Sequence, residues 1–338
     1  MIQEAIQQLV EGQHLTQEQA YETLAEVMRG EATEAQIGAL LVALRIIGEA
    51  PAEVAGFAQA MRNHARPVAT CHPCVVDTCG TGGDALGTFN ISTTAAFVVA
   101  GAGVPVAKHG NRAVSSQCGS ADVLRELGVE IDLRPEAVGR CLDEIGIGFL
   151  FAPALHPAMR YAAGPRRELS LRTVFNVLGP LANPAGARRQ LLGTFSPAAA
   201  RLMAGALLDL GTEHALVVHG ADGLDEISTT GPTLLLEVRE GTLRERELLP
   251  EDLGLPRAEL ADLVGGDPAC CAEILRGVLG GQPGPARDIV LLNAAAGIHV
   301  GGAAEDLAEG MKLAATAIDT GRALEKLERL IALSREAL

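Results

Sequence analysis

The segment from residue 77 to residue 128 constrains the fold more than any other part of the chain. It contains four polar or glycine-rich runs: GTGGD at 80–84, NIST at 90–93, KHGNR at 108–112 and GSADVL at 119–124. Short apolar or small-residue segments separate them, so the region is typical of strand-end loops that each lead into a helix. Ligands of parallel sheets collect at the carboxyl ends of strands, and we therefore expect the functional site here.

The composition of these loops predicts a polyphosphate site with a metal. The glycines of GTGGD permit positive φ and let a ligand approach backbone N–H groups closely. The hydroxyl residues of NIST stand where a helix should begin, so helix N–H donors converge there. Lys108 adds a positive charge, and Asp84 can hold a metal or a hydroxyl group. Each run alone would be read as an ordinary turn, but several within about fifty residues favour a site.

A second polar cluster follows the apolar strand predicted at 215–218. There Asp225 and Glu226 are adjacent, and carboxylates at a strand end suit hard cations such as Mg²⁺. The alternative is a solvated acidic turn. The loops upstream would supply the phosphates that a metal bridges, which favours the metal site.

Composition excludes several classes of protein. The 338 residues suffice for a large core and favour two domains over one, with 48% apolar and 20% charged residues. A net charge of −15 argues against nucleic acid or an anionic membrane as partner. No apolar run reaches the roughly 18 residues of a membrane span, and no secretory signal is recognisable, which predicts a cytoplasmic protein. The seven cysteines predict thiols rather than disulfides, and the single CxxC at 71–74 is a weak metal motif.

The order of predicted elements indicates an α/β protein. Residues 1 to about 65 show helical periodicity, with capping-box starts at Thr16 and Thr33. From residue 73 short strands alternate with helices, until an irregular Pro/Gly-rich segment at 152–188 interrupts them. Strands are predicted at 75–76, 104–107, 130–133, 148–151, 190–195 and 215–219, with an antiparallel pair at 233–238 and 242–248. Later helices are predicted to start near 268, 285, 303 and 320.

The four runs, in this order and spacing, resemble the anthranilate phosphoribosyltransferase family of tryptophan biosynthesis. That family shares its fold with the pyrimidine nucleoside phosphorylases, and the resemblance extends over nearly the whole chain. It implies a small helical N-terminal domain at 1–70, joined by part of 152–188. It also implies a large α/β domain at 71–338, with a central mostly parallel sheet flanked by helices, and an aromatic substrate in the cleft between them.

The resemblance also implies a reaction and a set of site residues. Anthranilate would displace pyrophosphate from C1 of phosphoribosyl pyrophosphate, without an assigned acid or base and with Lys108 and metal stabilising the transition state. The cofactor would be Mg²⁺, two ions per monomer, held by Ser92, Asp225 and Glu226. Phosphoribosyl pyrophosphate would be bound by Gly80, Thr81, Gly82, Gly83, Asp84, Thr88, Asn90, Ser92, Thr93, Lys108 and Ser120. Anthranilate would be bound by Gly80, His109, Asn111, His156, Arg166 and Gly179. His109 would equally suit a purely structural role.

A homodimer formed through the N-terminal helices is implied as well. The chain departs from the family pattern at Ala85, where glycine is common, at Cys118, where serine is usual, and at Pro165, where a small aliphatic residue is more common. Three alternatives stay open: a nucleoside phosphorylase of the same fold, a non-catalytic nucleic-acid-binding member, and a structural helical assembly protein. A Mg²⁺ requirement separates the first, and the acidic net charge disfavours the second.

Overall fold

A computed structural model describes residues 1–84, 86–113 and 117–336 of the chain. Ala85, one of the departures from the family pattern, lies outside the described residues. Among the residues described, no helix is both long and apolar enough to cross a bilayer.

The N-terminal part of the chain is a helical domain. Its helices are α1 (Ile2–Val10), α2 (Gln17–Met28), α3 (Glu34–Ile47) and α4 (Pro51–Asn63). The two predicted capping boxes are confirmed. The hydroxyls of Thr16 and Thr33 accept hydrogen bonds from the N–H groups of Gln19 and Gln36, and the side-chain oxygens of these glutamines accept hydrogen bonds from the threonine N–H groups. These caps fix where α2 and α3 begin, and thus which residues face the apolar core between the helices.

Among the described residues, seven strands form one sheet, and the prediction that it is mostly parallel is confirmed. Its order is β3-β2-β1-β4-β5-β6-β7; the first five run parallel, and the last two add antiparallel pairs. The strands are β1 (Val76–Gly80), β2 (Val106–Gly110), β3 (Ile147–Phe151), β4 (Arg189–Gly193), β5 (His214–Gly220), β6 (Thr233–Arg239) and β7 (Thr242–Leu248). β1 lies in the interior of the sheet, so the loop after it emerges near the middle of one sheet edge.

Helices cover both faces of the sheet. They are α5 (Ile91–Gly101), α6 (Ser120–Glu126), α7 (Pro135–Ile145), α8 (Ala152–Leu155), α9 (Arg160–Leu169), α10 (Phe175–Leu178), α11 (Pro197–Asp209), α12 (Pro268–Leu279), α13 (Pro285–Val300), α14 (Leu307–Asp319) and α15 (Arg322–Glu336). The alternating side chains of β5 show the two layers: Leu216 and Val218 pack on the α5 and α13 side, whereas Ala215 and Val217 pack with the helical domain and α11. Two apolar cores therefore share the sheet.

The irregular segment between β3 and β4 returns to the helical domain. Phe175 and Leu178 of α10 are buried in the core that α2, α3 and α4 form, and α9 packs against α3. This placement brings residues of 152–188 over the carboxyl ends of the strands, opposite the glycine-rich loop.

Several predicted boundaries were wrong. Residues 130–133 do not form a strand; the Glu130 N–H donates to Ser334 Oγ (3.0 Å), and the next element, α7, begins at Pro135. β3 pairs with β2 along its whole length, so residues 130–133 cannot form a strand between β2 and β3. The helix expected from residue 303 begins at Leu307, where the Asp306 side chain caps it.

The first two strands also extend further than predicted. The polar residues 77–80 and 108–110 were expected in loops, but they form most of β1 and β2. An interior strand has a pairing partner on each side, so backbone hydrogen bonding continues into the polar residues at its end. The predicted ligands Gly80, Lys108 and His109 consequently lie on strands.

Close helix packing generates a stability prediction. A Cβ atom on Gly310 of α14 would lie 2.6 Å from the Ala295 carbonyl oxygen of α13, whereas one on Gly38 of α3 meets no atom within 4 Å. We expect Gly310→Ala to destabilise the protein by about 1–3 kcal/mol because backbone must shift. Gly38→Ala should be neutral or stabilise by about 0.5–1 kcal/mol. Urea unfolding measures both, and equal stability of the two variants would contradict the packing argument.

Candidate active site

A large cleft opens at the carboxyl ends of the parallel strands, between the sheet and the 152–188 segment. Its volume is about 690 Å³, and every residue predicted to bind a substrate or metal lines it. They are Gly80, Thr81, Gly82, Gly83, Asp84, Thr88, Asn90, Ser92, Thr93, Lys108, His109, Asn111, Ser120, His156, Arg166, Gly179, Asp225 and Glu226. The fold thus brings together residues separated by up to 146 positions of the sequence, as the numbers 80 and 226 show.

The glycine-rich loop is tied to the acidic cluster. The Gly82 N–H donates to Asp225 Oδ2 (2.8 Å), and a Cβ on Gly80 would lie 2.5 Å from the same oxygen. Gly82 and Gly83 have φ values of +63° and +81°, which side-chain-bearing residues rarely adopt. Close approach at Gly80 and positive φ at the next two glycines therefore both require glycine, and the loop can face the cleft with its backbone.

The acidic pair occupies the same end of the cleft. Glu226 is buried and accepts a hydrogen bond from the Ser92 N–H (3.0 Å) at the start of α5. Burial, with Asp84 nearby, raises the pKa of Asp225 to about 6, and burial, with Asp225 nearby, raises the pKa of Glu226 to about 8. Two buried carboxyl groups side by side are costly to ionise together unless a cation is near. Their oxygen atoms and the Ser92 hydroxyl fit a hard divalent cation.

Lys108 lies beneath this end of the cleft. Its side chain is 3% exposed, and its ammonium group donates to the Thr78 carbonyl and to Ser92 Oγ (3.4 Å). Burial lowers the pKa of Lys108, while Asp77 and other nearby acidic groups favour its charged form. Lys108 thus connects β2 with β1 and with the start of α5, at the edge of the site.

Asp77 is a buried carboxylate for which the sequence predicted no role. It accepts hydrogen bonds from the His109 N–H (3.0 Å) and from Asn183 Nδ2 (2.7 Å), and burial raises its pKa to about 6. Asn183 also donates to the Ala107 carbonyl (2.8 Å). These bonds fasten the 152–188 segment to β1 and β2. The available signal was an acidic residue directly after the apolar pair 75–76.

Two histidines lie together in another part of the cleft. The rings of His109 and His156 are 5.1 Å apart, and both Nε2 atoms are buried with no hydrogen-bond partner among the described residues. Burial lowers the pKa of His109 to about 3 and that of His156 to about 4, so both rings are neutral near pH 7. His109 Nδ1 donates to the Gly179 carbonyl (3.1 Å), which leaves Nε2 as an acceptor. His109 therefore has a structural bond and also lines the cleft.

Arg166 is the cation predicted for this region. Its guanidinium lies 5.0 Å from the centre of the Phe175 ring, and partial burial lowers its pKa. A guanidinium stays protonated under such conditions. Pro165, which departs from the family pattern, is buried inside α9, one residue before Arg166. This part of the cleft thus combines a positively charged guanidinium group with walls of apolar side chains and neutral imidazole rings.

The loops before α5 and α6 form the remaining wall. Asn90 Nδ2 donates to the Cys118 carbonyl (3.1 Å), and the Cys118 thiol donates to Asn90 Oδ1 (3.3 Å). Ser120 Oγ donates to the Asn111 carbonyl (3.1 Å), and in the part of the chain that the structure describes the buried Thr93 hydroxyl has no hydrogen-bond partner. The thiol at position 118 therefore holds Asn90 in place, and the wall keeps hydroxyl groups for a ligand.

The buried histidines generate a prediction about stability and pH. Above pH 6.5 His156 is neutral in the folded and unfolded chain, but below it only the unfolded chain binds the proton. Stability is therefore lost as the pH falls from 6.5 towards the folded pKa of about 4. At about pH 5 this loss is about 2 kcal/mol, and we expect His156→Gln to remove it.

Urea unfolding of wild type and His156→Gln at pH values near 7.5 and near 5 measures this difference. The raised pKa values of Asp77, Asp225 and Glu226 have the opposite effect on stability. These carboxyls bind protons at a higher pH in the folded chain than in the unfolded chain, so their contribution to stability increases as the pH falls. The comparison is therefore between variant and wild type at each pH. An identical difference in unfolding free energy at both pH values would show that His156 does not titrate in this way.

Comparison with known proteins agrees with this arrangement. Residues 72–324 match the model described as "Glycosyl transferase family, a/b domain", and residues 3–65 match "Glycosyl transferase family, helical bundle domain". Two curated relatives, both anthranilate phosphoribosyltransferases, are from Moorella thermoacetica (56% identity, 98% of each chain) and Desulforudis audaxviator (59% identity, 98% of this chain and 96% of the relative).

Solved structures give the same result. The anthranilate phosphoribosyltransferase of Thermus thermophilus superposes with a TM-score of 0.93 at 47% identity, over 98% of this chain and 99% of the other. The Saccharomyces cerevisiae enzyme in complex with PRPP and Mg superposes with a TM-score of 0.89 at 28% identity, over 99% and 98% of the two chains. The chain therefore belongs to this glycosyl transferase family and, within it, to the anthranilate phosphoribosyltransferases.

Proposed function

We propose that the cleft transfers the phosphoribosyl group of 5-phosphoribosyl 1-pyrophosphate to the amine of anthranilate, giving N-(5-phosphoribosyl)anthranilate and pyrophosphate for tryptophan biosynthesis. The observation that carries the proposal is the pairing of two chemically different regions in one cleft. One has a glycine-rich backbone, hydroxyl groups and carboxylates; the other has Arg166, two neutral histidines and the ring of Phe175.

The glycine-rich region is the proposed site of phosphoribosyl pyrophosphate. Backbone N–H groups at a helix start and in a glycine-rich loop suit phosphate oxygens. Lys108 lies beneath them and offsets part of the anionic charge. The residues that we propose to bind this substrate are Gly80, Thr81, Gly82, Gly83, Asp84, Thr88, Asn90, Ser92, Thr93, Lys108 and Ser120.

Ser92, Asp225 and Glu226 are the proposed ligands of Mg²⁺, with two ions per monomer. When bound, Mg²⁺ would neutralise negative charge on the departing pyrophosphate. The raised pKa values of the two carboxyls support the proposal because burial and the neighbouring carboxyls make their ionised forms costly, and a cation would offset that cost. A Mg²⁺ titration that saturates at one ion per chain would contradict the count.

The histidine region is the proposed anthranilate site. Arg166 would bind the carboxylate, since a guanidinium fork matches its two oxygens. The ring would be lined by Gly80, His109, Asn111, His156 and Gly179. The Nε2 atoms of the two histidines have no hydrogen-bond partner among the described residues and can accept a hydrogen bond from the ligand. Anthranilate presents a neutral amine, so no strong base is needed. Orientation of the amine towards C1 and stabilisation of the leaving group then lower the barrier.

The first experiment follows anthranilate fluorescence with the purified protein, phosphoribosyl pyrophosphate and Mg²⁺. We expect a decay of the signal that EDTA abolishes. Asp225→Asn/Glu226→Gln should lower kcat/KM by at least about 100-fold, because the charges that hold the cation are lost. The control is Glu251→Gln/Asp252→Asn, an adjacent acidic pair at the protein surface, which should keep wild-type activity.

If the fluorescence still decays in the presence of EDTA, the proposed reaction stands, but Asp225 and Glu226 are not essential metal ligands. No decay would contradict the proposed reaction, and cleavage of a nucleoside by phosphate would then identify a phosphorylase of the same fold.

The anthranilate site has its own prediction. Arg166→Lys keeps the positive charge but loses the two-pronged hydrogen bond, so we expect the KM for anthranilate to rise by about 10-fold or more. The KM for phosphoribosyl pyrophosphate should change little. The matched control is the exposed neighbour Arg167, whose change to Lys should leave both constants unaltered. Equal effects of the two substitutions would place the carboxylate elsewhere.

We also propose a cytoplasmic homodimer formed through the N-terminal helices. Val10 at the end of α1 and Ile46 in α3 are 71% and 80% exposed, and a partner molecule would cover both in such a dimer. A monomer in sedimentation analysis would contradict the dimer. For the domains we propose residues 1–70 with part of 152–188 as the helical domain and 71–338 as the α/β domain, supported by the burial of α10 in the helical core.

A further inference from the structure

Two histidines and a glutamate converge at the end of the sheet opposite the cleft. His214 is the first residue of β5, Glu237 lies in β6, and His299 lies in the last turn of α13. His214 Nε2 is 2.8 Å from Glu237 Oε1, and His299 Nε2 is 3.7 Å from the same oxygen. The three ligand atoms all lie within 4.8 Å of one another, and the imidazole rings meet edge to face at 4.9 Å.

We propose that His214, Glu237 and His299 form a second metal site, which binds one Zn²⁺-type transition-metal ion through two imidazole nitrogens and one carboxylate oxygen. Imidazole and carboxylate together are ligands that Zn²⁺ prefers, whereas Mg²⁺ takes oxygen ligands. This site is separate from the cleft and does not depend on the reaction proposed for it. The ion would tie two strands and a helix together.

The orientation of His299 supports the site. Its Nδ1 lies 3.1 Å from the Ala304 carbonyl oxygen, which only accepts hydrogen bonds, so Nδ1 carries the proton. Nε2, 3.7 Å from Glu237 Oε1, is then the ring nitrogen available to a metal. A metal ion between the two groups would bind both. A backbone carbonyl on the distal nitrogen is also the partner that orients most metal-bound histidines.

His214 and Glu237 are held in forms close to those that bind a metal. Burial lowers the pKa of His214, so its ring is neutral near pH 7. Partial burial tends to raise the pKa of Glu237, but the hydrogen bond from His214 and the nearby positive groups together outweigh it, so the pKa lies below its ordinary value. When a metal takes the Nε2 lone pair of His214, the proton now on Nε2 moves to Nδ1 of the same ring, so no net proton is lost.

The distances require only side-chain adjustment. Ligand atoms about 2.0–2.2 Å from a tetrahedral Zn²⁺ are about 3.3 Å apart, and the separations of 2.8 Å and 3.7 Å fall on either side of that value. Each ligand stands on a different regular element, so the backbone positions are fixed. The side chains of His214, His299 and Glu237 are 6%, 11% and 22% exposed, which leaves an opening for a water molecule as fourth ligand.

The surrounding charges permit a cation. Arg189 and Arg239 stand beside His214 on the neighbouring strands, but each has a carboxylate partner, Glu213 at 3.2 Å and Glu240 at 3.7 Å. Arg239 nevertheless also acts on Glu237, so a metal ion at this site would bind beside one positive side chain. A competing cluster, Cys71 with His72 and Asp143, is largely exposed, and Asp143 Oδ1 already accepts from Thr70 and from the Cys71 N–H.

Cobalt substitution tests the proposal on the full chain. Purified protein is stripped with EDTA, transferred to metal-free buffer with excess Mg²⁺ to occupy the acidic pair, and titrated with Co²⁺. We expect tetrahedral ligand-field absorption that saturates at one Co²⁺ per chain and is displaced by Zn²⁺. His214→Gln, His299→Gln and Glu237→Gln should each weaken Co²⁺ binding by at least about 100-fold. All three should retain transferase activity with Mg²⁺, because they lie away from the cleft.

Cys71→Ser and His72→Gln are the matched controls and should leave the cobalt spectrum unchanged. A second readout guards against misfolding: Zn²⁺ should raise the Tm of wild type but not of His299→Gln, while the Tm values without metal stay similar. The proposal is overturned by the absence of a cobalt spectrum, by thiolate-to-cobalt charge transfer that Cys71→Ser removes, or by wild-type affinity in His299→Gln.

Discussion

The loop that carries Asp225 and Glu226 holds the catalytic end of the molecule together. A Cβ on Gly193 of β4 would lie 1.5 Å from the Asp225 carbonyl oxygen, so this loop passes directly over the end of the strand. From there one carboxylate accepts the Gly82 N–H and the other accepts the Ser92 N–H. The acidic pair thus fixes the glycine-rich loop and the start of α5 in addition to offering oxygen atoms to a cation.

This arrangement has an electrostatic cost that a ligand relieves. Asp77, Asp225 and Glu226 all have raised pKa values, chiefly because of burial, and Lys108 is the buried cation among them. Buried charges of one sign destabilise the folded chain unless cations or hydrogen bonds compensate them. A site kept in this state before binding is already polarised towards a metal and an anionic substrate, so little rearrangement is needed when they arrive.

The sequence predicted which residues come together better than it predicted the contacts that support them. Local chemistry at strand ends and the family resemblance indicated the candidate residues, and all of them line one cleft; their roles stay predictions. The roles of Asp77 and Asn183 were not predictable, since they depend on which strands become neighbours: Asn183 reaches Asp77 across 106 positions of sequence. The false strand at 130–133 has the same origin: Ile131 and Leu133 are buried without strand pairing, and the Glu130 N–H donates to Ser334 of α15.

β5 relates the two proposed metal sites through the geometry of the sheet. His214 begins the strand, which is seven residues and thus about 20 Å long, and the acidic pair lies beyond its other end. Hard oxygen ligands gather at one end, and two imidazoles with a carboxylate gather at the other. Ligand type therefore directs Mg²⁺ and a zinc-type ion to different ends. An ion at His214 would act on the stability of β5, β6 and α13, and so on the rigidity of the strand from which the catalytic loop departs.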